Sequence, residues 1–168
     1  MDRNIQLRVL IVGFGTSEVT FLNRLVKGLA EQGVHVTVSS PKRKVIDRFP
    51  KGMVDWLWAP RWHGSGLVRI FHMLLMLCKG LPSKRLKWLR EILNSREKIR
   101  DKLAALHRYL PFLRGRWDAI YFPWNSTAVD YIDLFNLGIP VVISCRGSQI
   151  NIRPHRQGQE VYGVLLKQ

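Results

Sequence analysis

Four short stretches carry residue types that can do chemistry. Gly13-Phe14-Gly15-Thr16-Ser17-Glu18 sets two glycines ahead of two hydroxyl side chains. Glycine lets the backbone approach a ligand closely, and the free N–H groups of a following helix favour phosphate or another anion. Arg146-Gly147-Ser148 offers a permanently cationic fork suited to phosphate or carboxylate. Pro123-Trp124-Asn125-Ser126 and Ser39-Ser40-Pro41-Lys42 add amide, hydroxyl and ammonium groups. The chemistry the first two share is recognition of a phosphate, a carboxylate or another anion. Each has a plainer reading, with Gly13–Ser17 a tight turn without ligand and Arg146 a solvated or salt-bridged cation. Cys145 reads as a buried structural thiol, because no histidine stands in a context that would activate it. The five histidines, at 35, 63, 72, 107 and 155, lack metal-ligand spacing, so no metal site is expected.

The elements that must position these residues follow from periodicity. Arg8-Val9-Leu10-Ile11-Val12-Gly13 is a short apolar run closed by glycine, the pattern of a buried strand. Thr16 or Ser17 then caps a helix in which Leu22, Leu25, Val26 and Leu29 recur at helical spacing, and Gly33 stops it. Val34 to Ser39 gives a second strand, and Asp55 to Ala59 a third. Asp118 to Phe122 predicts a fourth strand, after which Asn125 or Ser126 caps a helix ended by Gly138. Ile139 to Cys145 is apolar throughout, as expected of a fifth strand covered on both faces. Strands alternating with helices imply an α/β fold, a Rossmann-like doubly wound parallel sheet. In such sheets ligands bind beyond the carboxyl ends of the strands, where Gly13–Ser17, Ser39–Lys42, Pro123–Ser126 and Arg146–Ser148 all fall.

A nicotinamide dinucleotide does not fit this pattern. It would want a third glycine where Glu18 stands, and an acid at the end of the second strand, where Ser39, Ser40, Pro41 and Lys42 stand. Lys42 and Arg43 would suit a 2′-phosphate cofactor, which keeps an NADP-type oxidoreductase as a third and weaker reading.

The chain has 168 residues with 27 Lys or Arg against 12 Asp or Glu, a net charge of +15 and a pI near 10.6. The excess is localised, because residues 61–116 hold fourteen basic residues against three acidic ones while 117–168 are balanced. Two cysteines, Cys78 and Cys145, argue against a disulfide-built or cysteine-ligated zinc module. Val9 to Val12 is too short for a secretory segment, and Met73 to Cys78 too short for a bilayer span. These features lead us to expect a soluble, cytoplasmic, single domain over 1–168, with residues 61–116 as a basic, mainly helical insertion. Glu160 to Gln168 reads as a helix start with no stop signal, so the architecture looks interrupted there.

Three stretches together resemble the N-terminal half of a family 4-type glycosyltransferase with the GT-B fold. They are Arg8 to Gly13 with its glycine turn, Trp117-Asp118-Ala119-Ile120-Tyr121-Phe122-Pro123-Trp124, and Gly138-Ile139-Pro140-Val141-Val142-Ile143-Ser144-Cys145-Arg146-Gly147-Ser148-Gln149. The second resembles the family's D-hydrophobic-hydrophobic-H-x-H strand, and the third its G-x-P-hydrophobic-V-x-x-x-H-G-S-D strand. The resemblance implies one half of a two-domain enzyme that moves a sugar from a nucleotide-activated donor to a glycan, lipid or small-molecule hydroxyl, with no metal and no cofactor beyond the nucleotide sugar. It implies that Gly13, Gly15, Thr16 and Ser17, with Trp124, Asn125, Gly147 and Ser148, face the substrates, and that Arg146 lies at the reaction centre. Arg146 replaces the family's histidine and Gln149 its aspartate, so the role of Arg146 would be electrostatic rather than basic. Trp124 would stack on a sugar ring or serve as a rim aromatic. The second half, with its E-x7-E glutamates, is absent from these 168 residues, so the chain alone would be catalytically incomplete.

Ser83 to Leu110 is a basic segment with an apolar stripe through Leu86, Leu89, Ile92, Leu93, Ile99, Leu103, Leu106 and Leu110, interrupted at Arg96. The interruption suggests two helices meeting near Asn94-Ser95. With Trp62 and Trp88 nearby, the segment fits docking on an anionic membrane, peripheral on the cytoplasmic face. The plainer reading packs the stripe on the sheet with its charges solvated. Nucleic acid fits less well, because aromatics are not interleaved with the cations as a stacking platform. A non-catalytic basic module binding anionic membrane or nucleic acid is therefore the alternative to a transferase.

Overall fold

A parallel strand buried on both faces must find all its hydrogen bonds in neighbouring strands, and the run Arg8–Ile11 does so as β1 at the centre of a sheet. The computed structural model describes residues 6–14, 20–41, 49–59 and 98–144, together with Arg90 and Asn94. Its elements are β1 (Arg8–Ile11), α1 (Thr20–Glu31), β2 (His35–Ser40), β3 (Val54–Trp58), α2 (Ile99–Leu113), β4 (Ala119–Phe122), α3 (Asn125–Asp130), a 3-10 turn (Ile132–Leu137) and β5 (Val141–Ile143). The five strands form one all-parallel sheet in the order β3-β2-β1-β4-β5, a Rossmann-like α/β arrangement. Two compact units are distinguished along the chain, residues 1–57 with 117–168, and residues 58–116. Most of the basic stretch 61–116 lies outside the described residues, so its expected helical character is visible in α2 and little else.

Register is pinned at both ends of β1. Val9 sits opposite Val36 and Ala119, and Ile11 opposite Val38 and Tyr121. At the entrance the Arg8 N–H donates to the Asp118 carboxylate at 2.8 Å, while the Asp118 N–H donates back to the Arg8 carbonyl at 2.9 Å. At the exit the Val12 N–H donates to the Tyr121 carbonyl (3.0 Å) and the Phe14 N–H to the Ser39 carbonyl (2.9 Å).

Alternation along the strands then sorts the core into two layers. On one face Val9, Ile11, Val36 and Val38 pack with Leu22, Val26 and Ala30 of α1, which recur every fourth residue and so form one stripe. On the other face Leu10, Ile120 and Phe122 are fully buried, and Phe135 of the 3-10 turn stacks on Phe122 with centroids 5.9 Å apart. Among the described residues, no helix is long and apolar enough to cross a membrane.

Two local expectations are corrected. The helix after β4 is not continuous: α3 ends at Tyr131, whose backbone (φ −122°, ψ 32°) leaves the helical region, and a 3-10 turn continues to Gly138. Gly138 does terminate the segment, in the left-handed conformation (φ 65°) that glycine adopts without a Cβ clash. β5 is shorter than its apolar run, and Val142 is 53% exposed, so the strand is not covered on both faces. Lys98, extended at φ −64° and ψ 148°, precedes α2, and the expected meeting of two helices near Asn94-Ser95 falls largely outside the described residues.

Core and edge should therefore respond differently to truncation. Leu10→Ala is expected to lower unfolding free energy by about 2–5 kcal/mol. Val142→Ser should change it by no more than about 0.5 kcal/mol, as at other exposed positions. Urea unfolding of both variants checks this, and equal losses would contradict the assignment of Leu10 to the buried layer.

Candidate functional site

The strand order changes direction between β1 and β4. The chain leaves β1 toward β2 on one side and leaves β4 toward β5 on the other, so the two carboxyl-end loops diverge at the point where sheets of this kind open a crevice. The Gly13 turn and the Pro123-Trp124-Asn125 turn stand at this point.

Gly13 is held there by two requirements. Its φ of +80° strains any residue with a Cβ, and an ideal Cβ would lie 2.6 Å from Cγ2 of Thr127 and 3.3 Å from its hydroxyl. The backbone of the first turn thus presses against the first helical turn after β4. Its close approach is to Thr127, a protein side chain, which accounts for the glycine without a ligand. Among the described residues the Gly13 N–H has no hydrogen-bond acceptor, although its neighbours Val12 and Phe14 both donate into the sheet.

Trp124 precedes α3 with extended backbone (φ −139°, ψ 134°) and is half-buried. Its ring meets Phe21, in the first turn of α1, edge to face at 5.4 Å and 89°. That contact is worth about 0.5–1.5 kcal/mol beyond the buried area. It ties the helix after β1 to the loop after β4. Asn125 is buried and is the first residue of α3 rather than its cap. Its Oδ1 accepts the Ser126 N–H at 3.0 Å, a neighbouring amide, instead of reaching the later amides a capping side chain would satisfy.

Beside the crevice, the carboxyl end of β2 carries the buried hydroxyls of Thr37, Ser39 and Ser40, and the Ser40 carbonyl accepts the Trp56 indole N–H at 2.9 Å. On the other flank the Ser144 N–H donates to the Phe122 carbonyl at 2.8 Å, carrying the β4–β5 ladder to the residue before Cys145. Of the residues singled out in the sequence, Gly13, Trp124 and Asn125 are thus brought to one end of the sheet. Gly15, Thr16 and Ser17, together with Arg146, Gly147 and Ser148, lie outside the described residues, as do Lys42 and Arg43. Phe21 and Thr127 belong to the site and carried no sequence signal, since each acts through a contact with a residue more than a hundred positions away.

Two histidines are among the described residues. His35, at the start of β2, pairs with Asp55 at 3.4 Å, and His107 is buried in α2. The chain matches no family model, no curated protein and no solved structure.

The packing of Gly13 on Thr127 generates a double-mutant test. Gly13→Ala should destabilise the protein by at least about 2 kcal/mol, from positive φ and the clash together. Thr127→Ser removes the Cγ2 methyl and should recover part of that loss in the Gly13→Ala background, leaving the backbone strain. Urea unfolding of the four members of the cycle gives the coupling. Purely additive losses would show that Thr127 does not limit the turn.

Proposed function

We propose that this chain is the acceptor-side, Rossmann-like half of a GT-B glycosyltransferase, which transfers a sugar from a nucleotide-activated donor to a hydroxyl of a glycan, lipid or small molecule. The observation that carries the reading is the convergence of Gly13, Trp124 and Asn125 at the crevice where the strand order turns. The same strands carry the motifs that resemble the glycosyltransferase family, and β5 leads directly into Cys145-Arg146-Gly147-Ser148.

In this reading the acceptor hydroxyl attacks the anomeric carbon, the bond from that carbon to the diphosphate oxygen breaks, and the hydroxyl proton passes to a phosphate oxygen of the leaving group or to water. The developing charge falls on the leaving nucleoside diphosphate. Arg146 would neutralise it, because a guanidinium offers paired donors to phosphate and stays protonated. Gly13 would contribute its N–H, which has no acceptor among the described residues, and Gly15, Thr16 and Ser17 the amide and hydroxyl donors around the first turn. Trp124, with its outer surface half-exposed, would line the acceptor and Asn125 and Ser148 would orient it. The nucleotide sugar serves as substrate, and the reading invokes no metal or further cofactor. The complementary nucleotide-sugar domain is a partner that this reading requires.

The test is ligand-detected at the residues named. Amide and indole NMR signals of the chain are followed while mono- and oligosaccharides and then nucleotide sugars are added. Shifts centred on Gly13, Trp124 and Asn125 are expected, and Trp124→Ala should weaken saccharide binding about tenfold. If every saccharide and nucleotide sugar leaves these signals unmoved, the proposal fails.

A further inference from the structure

The described sheet has two edge strands, β3 and β5, and they are not alike. β3 carries an acid, Asp55, whose side chain is 64% exposed and meets His35 at 3.4 Å. Charge on an edge strand is one of the devices that keep other strands from pairing with it. β5 has no such guard. The twelve residues from Leu134 to Cys145 hold no Asp, Glu, Lys, Arg or His, in a chain where 23% of residues are charged.

Hydrogen bonds from β4 show which way the backbone of β5 points. The Ile120 N–H donates to the Pro140 carbonyl at 2.9 Å, and the Ser144 N–H to the Phe122 carbonyl at 2.8 Å. With Ile120 opposite Val141 and Phe122 opposite Ile143, a parallel ladder turns residues 140, 142 and 144 toward β4. The N–H and C=O groups of Val141 and Ile143 therefore point away from the sheet. Among the described residues nothing pairs with them. Pro140 does not guard this edge, because the N–H it lacks belongs to the inward row. Apolar side chains flank the free groups on both faces. Val142 is exposed on one face, and on the other Phe135, Asn136, Ile139 and Val141 line an open cleft of about 540 Å³.

This pattern is complementary to itself. Two β5 strands laid antiparallel about a two-fold axis at Val142 set Val141 of each copy opposite Ile143 of the other. Each such pair exchanges both of its outward groups, so every free N–H and C=O of the two residues is used. Val142 meets Val142 of the second copy as the closely spaced pair between them, which covers its exposed methyls. On the cleft side, Ile143 of the second copy stands beside Val141, a lining residue. Charge favours the same occupant. Contact through residues 61–116 would set fourteen cations of one copy against fourteen of the other, whereas β5 brings none.

We propose that two copies of this chain associate edge to edge through β5, joining their sheets around a two-fold axis at Val142. An unrelated strand satisfies the backbone equally, but a second copy supplies by symmetry the matching valine and the second cleft. The contact is short, so the dimer forms at tens of micromolar or above and separates on dilution. The inference rests on β5 and is independent of what the crevice binds.

The experiment is sedimentation equilibrium of the full chain from low to several hundred micromolar, with amide exchange followed at Val141 and Ile143. A monomer–dimer equilibrium is expected, with exchange at both amides slowing as concentration rises. Val142→Lys sets two like charges on the axis and should weaken association about tenfold. Gln32→Lys, an equal charge change at an exposed position after α1, should weaken it far less. In dilute solution the urea midpoint of Val142→Lys should match that of the unaltered chain. In a Cys78→Ser, Cys145→Ser background, Val142→Cys should give a covalent dimer with diamide as oxidant, because the Cα atoms of such a pair stand within disulfide reach. Gln32→Cys should not. A chain that stays monomeric throughout, equal losses from the two lysine variants, or cross-linking as ready at position 32 as at 142 would each overturn the inference. So would Val141 and Ile143 amides already protected in the dilute monomer, the sign that another part of the chain lies on the edge.

Discussion

The structure depends on one constraint, that β1 lies inside the sheet with no water to satisfy its backbone. A strand so placed must be paired along its whole length on both sides, and an unpaired buried amide costs as much as a lost hydrogen bond or more. Arg8 to Val12 meet that demand from the Asp118 carboxylate at one end to the Tyr121 carbonyl at the other. The demand is what draws β2 to one side and β4 to the other, although 78 residues separate those two strands in the chain. Asp118 is well suited to the entrance, because its own amide and its carboxylate engage the same residue, fixing register before the ladder proper begins.

The crevice is a consequence of that pairing. Once β1 has partners on both sides, the loops that leave β1 and β4 must diverge, and the space between their exits cannot be filled by either. Its walls are then drawn together by contacts specific to this chain. Thr127 occupies the volume in which any Cβ at position 13 would lie, and the Phe21–Trp124 contact joins the helix after β1 to the loop after β4. The walls are therefore set by packing as firmly as the sheet is set by hydrogen bonds. A site built this way presents its polar groups, such as the Gly13 amide, on backbone that cannot relax away from a ligand.

What was legible in the sequence follows the range of the interactions responsible. β1, β2 and α1 are signalled by local periodicity, and Leu22 and Val26 fall inside as their spacing demands. β4 is announced by its aspartate and alternating apolar residues. Asn125 misled because an asparagine before a helix usually caps it. Here the extended backbone of Trp124 starts the helix one residue early, and the amide group is buried instead. Val142 misled because an uninterrupted apolar run does not show how much of each face of the strand the fold covers. The partners of Gly13 and Trp124 were invisible for a related reason. A close contact across more than a hundred residues leaves no mark in the spacing of either partner.

The charge distribution completes the argument, because it does not follow the sheet. Residues 117–168 are electrically balanced, whereas residues 61–116 concentrate fourteen cations against three acids. Like charges this dense repel one another at low ionic strength and oppose compaction of the segment that holds them. A ligand that binds the folded segment and brings negative charge relieves that repulsion, so binding and folding favour each other by linkage. An anionic surface does this for every cation that faces it, at a distance limited by the screening length of about 8 Å at physiological salt. Exposed aliphatic side chains on the same face add a component that salt does not screen, and Ile99 and Leu103 are the described residues that supply it. The first turns of α2 thus combine exposed carbon with positive charge, and neither feature stabilises an isolated helix in water.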